Sequence, residues 1–135
     1  MSQKRAVVMV VVWQESRKVL LVKKGEEPWS ELSKQWVLPA ETLELGETDL
    51  AAVHRGLREE ANLEVGEPFY LTESMSYGGT EIGWYSCVAQ SPKEIRAGSD
   101  AQEVGWYKPE EVLSIYGNLR SHTLPEEVER FLRAA

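Results

Sequence analysis

Two adjacent carboxylates, Glu59 and Glu60, stand near the end of a segment that reads as a helix, Thr48 to Leu63. Side by side they repel each other unless a cation binds them. Hard oxygen donors of this kind suit Mg²⁺, which keeps several of its waters and recruits phosphate oxygens. At 100° per residue, Leu50, Val53, Leu57 and Ala61 form one apolar face. Glu59 and Glu60 project from the other side, with Ala52, Arg55 and Gly56. Gly56 falls between the two glutamates on the helical wheel. Glycine inside a helix costs about 0.8–1 kcal/mol relative to alanine, so propensity gives no reason for it. Close packing of a loop or ligand over this spot would be one reason, and drift after lost activity another. The plainer alternative for Glu59-Glu60 is a solvated charged face.

The charge balance bears on the ligand. Fifteen Lys+Arg stand against 22 Asp+Glu, a formal net charge of -7. Such a surface repels a phosphate backbone, so nucleic acid is not an expected partner. A small phosphorylated ligand remains compatible if a divalent cation lies between it and the protein. The single cysteine, Cys87, allows no intrachain disulfide and sits in an apolar stretch that predicts a buried, inert thiol. Lys4 and Arg5 ahead of the apolar run Ala6–Trp13 superficially resemble a signal peptide. No small-residue cleavage site follows, and the run is too short for a bilayer. No membrane partner is expected, and the expected location is the cytoplasm.

The elements that must position the carboxylates follow from periodicity. Val7–Trp13 is continuously apolar and β-branched, a strand covered on both faces, with Lys18–Lys23 as its hairpin partner. Glu26–Ser30 is a loop, and Trp36–Pro39 a short extended segment stopped by proline. The helix has Thr48 as N-cap, Asp49 in its first turn and Asn62 as a left-handed end. Phe69–Tyr77 and Gly83–Gln90 read as strands flanking the Gly78-Gly79 turn, and Glu103–Tyr107 as another. Pro109 opens a helix to about Tyr116, and Pro125 opens a last one in which Val128, Phe131 and Leu132 share a face. Length and composition suit one domain over residues 1–135, of α/β class.

The stretch Glu41–Leu63, ETLELGETDLAAVHRGLREEANL, resembles the Nudix box, Gly-x5-Glu-x7-Arg-Glu-U-x-Glu-Glu-x-Gly-U, with U a bulky aliphatic residue. Glu47, Arg55, Leu57, Glu59, Glu60 and Leu63 fall at matching positions. Trp36-Val37-Leu38-Pro39 looks like the family's lead-in, and Leu45-Gly46-Glu47 keeps the usual turn. Three positions depart. Glu41 stands at the first glycine, with Ala40 at the glycine that commonly precedes it, and Asn62 replaces the last glycine. Gly56 stands where the box has a glutamate that often ligates metal or acts as general base.

The resemblance implies a Nudix-type α/β/α sandwich with a mixed sheet. It implies a metal-dependent pyrophosphohydrolase of a nucleoside diphosphate linked to another moiety, using Mg²⁺, with Mn²⁺ as a second possibility. Glu47 and Arg55 would be a structural pair. Glu59 and Glu60 would hold metal, together with the main-chain carbonyl of Ala40. Glu103, in Glu103-Val104-Gly105-Trp106, resembles the later Glu-x-x-Trp of the family; it is either the further metal ligand or base that Gly56 cannot be, or an exposed charge at a strand end. Asp100 and Glu81 are lesser candidates, and His54 and His122 carry no assigned role. Trp29, Trp36, Tyr77 and Trp84 are candidates for stacking on a base, or are core. The alternative function is a catalytically impaired domain that binds a nucleotide ligand as a regulatory or sensing module. A homodimer is possible.

Overall fold

A computed structural model describes residues 4–98 and 101–135. The valine-rich run forms β1 (Arg5–Trp13), which turns through Arg17 at φ 61° into β2 (Lys18–Lys23). The two pair antiparallel only near the turn, Val12 opposite Val19 and Trp13 opposite Lys18. Beyond it they splay, and the next segments fill the gap. Strand β3 (Trp36–Val37) adds to the far end of β2, and β4 (Ala40–Thr42) pairs with Ala6–Val8 of β1. β4 is absent from the sequence expectation, which ends this extended segment at Pro39.

Helix α1 (Asp49–Ala61) follows, then the hairpin β5 (Phe69–Met75) and β6 (Glu81–Val88). β6 pairs with β1 in parallel from Arg5–Glu81 to Val12–Val88, so the sheet is mixed. A short 3₁₀ turn (Pro92–Glu94) leads to β7 (Glu103–Tyr107), which pairs antiparallel with β2. Helices α2 (Pro109–Gly117) and α3 (Glu126–Ala134) complete the seven-stranded α/β arrangement.

The alternation of β1 sorts the core into two layers. Val7, Met9 and Val11 face α1 and pack with Val53, Leu57, Ala61, Tyr85 and Cys87. Val10 faces the opposite way, with Val19, Leu21 and Trp84, against Val112 and Tyr116 of α2 and Val128 and Leu132 of α3. Burying one such aliphatic side chain contributes roughly 1.5–3 kcal/mol, so each helix is held mainly by its apolar stripe. The result is an α/β/α sandwich, as expected. Among the described residues no helix is long and apolar enough to cross a membrane.

Candidate active site

Helix α1 carries the candidate carboxylates, and its ends are built as the sequence implies. The Thr48 hydroxyl accepts from Ala51 N at 3.2 Å, and Asn62 adopts φ 53°, ψ 45°. In that left-handed conformation the Asn62 N–H donates to Arg58 O and that of Leu63 to Leu57 O, so asparagine does the work of a terminal glycine here.

Within the helix Arg55 is the hub. Its Nε and Nη2 donate to the two carboxylate oxygens of Glu47, each at 2.8 Å, and Nη2 also reaches Thr42 O at 3.0 Å. The bidentate fork ties the loop before α1 to its second turn. It also holds the Glu47 carboxyl down at about 2, chiefly through the hydrogen bond from Arg55. Arg55 Nη1 faces two more carboxylates, Glu41 and Glu59, at 3.3 Å each.

The helix face differs from the wheel. Leu50 is exposed, whereas Ala52 and Gly56 are buried with Val53, Leu57 and Ala61. The reason is β4: α1 is covered by the sheet on one side and by this short strand on an adjoining side, so its buried stripe is wider and rotated. Gly56 lies directly under Glu41. A Cβ on Gly56 would stand 2.9 Å from Glu41 Cβ and 3.2 Å from its Cγ and Oε2. The packing over this glycine comes from a strand side chain, where the sequence suggested a loop or a ligand. Burial pushes the Glu41 carboxyl above its ordinary range, Arg55 opposing and Glu59 reinforcing the shift.

Of the residues expected at the metal, Glu60 and Ala40 both line a cavity of about 780 Å³. Glu59 is exposed beside Arg55. Glu103 begins β7, exposed, with Oε2 3.5 Å from Lys23 Nζ. Among the described residues no three acidic, histidine or cysteine side chains form a ready-made metal cage. Carboxylate and main-chain carbonyl oxygens are still the donor type that a divalent cation such as Mg²⁺ takes, commonly one or two carboxylates with substrate phosphates and water completing the shell. Asp100 lies outside the described residues. Glu81 is taken up by Arg5 at 3.5 Å.

The cavity opens where β1 and β2 splay. Val8, Val22, Val37, Leu38, Ile82, Trp84 and Leu124 give it an apolar wall, while Lys24, Ser74, Ser76, Thr80 and His122 add polar groups. Trp84 is fixed by Nε1–H donating to Ser74 Oγ at 2.8 Å, and Tyr77 is an exposed residue of the lining. Trp29 and Trp36 are not in the lining; Trp36 packs on Tyr107 with ring centroids 5.0 Å apart. A clamp shapes one rim: the Glu31 carboxylate accepts from Arg120 N (2.7 Å) and Ser121 N (2.6 Å) and contacts His122 Nδ1 (2.7 Å). These contacts, His122 first, hold the Glu31 carboxyl at about 2.

Besides β4, its contact with Gly56 and the cavity itself, two networks escaped the sequence. One is this clamp, because the partners are far apart in the chain. The other is Arg5, which donates to Asp49 (2.7 and 2.6 Å) and Glu73 (2.9 and 2.6 Å), with the Tyr85 hydroxyl donating to Asp49 at 2.7 Å. Asp49 is thus more than a favourable first-turn charge; it anchors α1 to β1 and β6. Cys87 is buried, its thiol pushed up to about 12 by that burial, and so inert.

Several solved structures share this fold. A NUDIX hydrolase from Nitrosomonas europaea has TM-score 0.76 at 21% identity, over 98% of this chain and 72% of its own. The NUDIX domain of Shewanella oneidensis NrtR, complexed with ADP ribose, has TM-score 0.77 at 20% identity, over 100% and 90%. A C. elegans Ap4A hydrolase has TM-score 0.70 at 18% identity, over 96% and 93%. No curated protein sequence matches. At such identities these likenesses establish the fold. The sequence itself matches the NUDIX domain over residues 3–128, and the chain belongs to that family.

Proposed function

We propose that this protein is a divalent-metal-dependent hydrolase that cleaves a phosphoanhydride in a nucleoside diphosphate linked to another moiety. The observation that carries this reading is that Glu60 and Ala40 line a cavity of about 780 Å³ with an apolar wall and several polar groups, a volume within the usual range of small-ligand sites. The carbonyl of Ala40 with Glu59 and Glu60 would hold Mg²⁺ or Mn²⁺, which offsets the charge of a bound pyrophosphate. Lys24 adds a positive charge in the same cavity for phosphate oxygens. Trp84 and Tyr77 offer ring surface to a nucleobase. Glu47 and Arg55 position the helix, and Glu103 is a candidate to orient or deprotonate the attacking water. Two structural neighbours are associated with nucleoside phosphoanhydrides: the NrtR domain is complexed with ADP ribose, and the C. elegans protein is an Ap4A hydrolase.

A second reading, a domain that binds such a nucleotide without cleaving it, draws on the missing glutamate at Gly56. Hydrolysis would give a nucleoside phosphate and the phosphorylated second moiety, so chromatographic detection of these products from a nucleotide panel with Mg²⁺ or Mn²⁺ separates the two. Hydrolysis predicts turnover that falls by about 100-fold or more in Glu60→Gln and Glu59→Gln, the scale seen when one charge-stabilising group is lost. Saturable ligand binding with no turnover on any substrate would establish the binder instead.

A further inference from the structure

The two main departures from the Nudix box are the two halves of one exchange: a carboxylate is absent at Gly56 and one is present at Glu41. Position 41 lies on β4 and position 56 on α1, and the fold stacks them. The 2.9 Å between a Cβ at position 56 and Glu41 Cβ is closer than carbon atoms pack. The nearest obstacle is the first carbon of the Glu41 side chain, not its flexible end. Side chains at the two positions therefore compete for one volume, and a glutamate on one requires a very small residue on the other.

We infer that Glu41 supplies, from β4, the metal- and phosphate-directed carboxylate that the box carries on the helix at position 56. Oε2 of Glu41 lies 3.2 Å from where the first carbon of a position-56 side chain would stand. Oε1 meets the same Arg55 nitrogen as Glu59, so the two carboxylates flank one guanidinium edge. Its chain neighbour Ala40 lines the cavity. A carboxylate brought in for stability alone would be poorly served here, because Glu47 already occupies the better, bidentate face of Arg55. The glycine at 56 is then the complement of Glu41 rather than the mark of a lost site. A part for this carboxylate in turnover rests on the hydrolase reading above; its metal binding and the shared volume do not.

The test is a stem exchange with Glu41→Gln, Glu41→Gly, Gly56→Glu and the double variant Glu41→Gly/Gly56→Glu. Mn²⁺ binding is titrated by electron paramagnetic resonance on nucleotide-free protein, thermal melts are recorded, and turnover is measured where native turnover exists. Glu41→Gln keeps the shape and is expected to melt near the native temperature while losing about tenfold or more in Mn²⁺ affinity. Gly56→Glu alone is expected to melt lower, and the double variant to recover both melting and Mn²⁺ affinity. Native Mn²⁺ affinity in Glu41→Gln, or a double variant that binds no better than Glu41→Gly, overturns the inference. Loss of turnover in Glu103→Gln while Glu41→Gln keeps full turnover overturns it as well. Absence of turnover in every protein with the expected Mn²⁺ pattern defeats the hydrolase reading and leaves this one standing.

Discussion

A glycine in the middle of a helix forgoes about 0.8–1 kcal/mol relative to alanine, so Gly56→Ala on an open helix would stabilise the fold. Here the added carbon would meet Glu41 Cβ at 2.9 Å, and overpacking a filled site costs about 1–3 kcal/mol. The second effect is the larger. Gly56→Ala is expected to lower stability by about 1 kcal/mol, read as a lower urea midpoint at unchanged slope; a more stable variant would show that the Glu41 stem yields freely. This residue also marks where reading the sequence stopped. The motif made Gly56 conspicuous, and helix propensity made it unexplained, but the explaining atom belongs to a residue on a strand that periodicity did not reveal. Thr48 and Asn62, by contrast, were legible because a cap depends on neighbours a few residues away.

Among elements, the stretch after the short 3₁₀ turn controls the end of α1 that bears the glutamates. Arg96 N donates to Ala61 O and Gly98 N to Glu60 O, satisfying carbonyls that a helix end leaves open, and Asn62 Nδ2 donates to Glu94 O. A side-chain carbon on Gly98 would run into the main-chain oxygen of Glu59, an obstacle that cannot swing away. Gly98→Ala is therefore expected to push this stretch off the helix end, lowering the melting temperature and raising hydrogen exchange at Arg96 and Gly98. Turnover should fall as Glu59 and Glu60 shift. Gly117→Ala is the control, since nothing stands within 4 Å of its new carbon and alanine suits a helix. Equal melting of the two variants would refute the docking argument. Most strands and all three helices were legible from apolar period and proline or cap positions. β4 was not: Ala40-Glu41-Thr42 has no strand pattern of its own, and it is extended because the splayed half of β1 offers it an edge.

At the scale of the molecule, the cavity was illegible for a related reason: its lining comes from strands, loops and helix ends scattered along the chain, joined only by the fold. The carboxylates that join these pieces make a prediction about acid. Glu31 ties its loop to residues 120–122, Glu47 ties the pre-helix loop to α1, and Asp49 and Glu73 hold Arg5 between α1, β1 and β5. Hydrogen bonds from His122 and Arg55 depress Glu31 and Glu47 to about 2 from an ordinary 4.5, and Arg5 depresses Asp49 and Glu73. A carboxyl depressed in the folded state stabilises it fully above the ordinary value. As pH falls from about 4.5 toward 2, the unfolded chain takes up the proton first, and the stabilisation is lost. Between pH 7 and the pI near 4.9, the decline in net negative charge relieves repulsion and works the other way. The melting temperature is therefore expected to hold or rise slightly from pH 7 to about 5, then drop steeply below about 4.5. Glu31→Gln should melt lower at neutral pH and show a shallower acid slope, because one of the depressed carboxyls is gone. A profile that stays flat to pH 3, or a Glu31→Gln slope equal to the native one, would mean that these ties contribute nothing to holding the distant segments together.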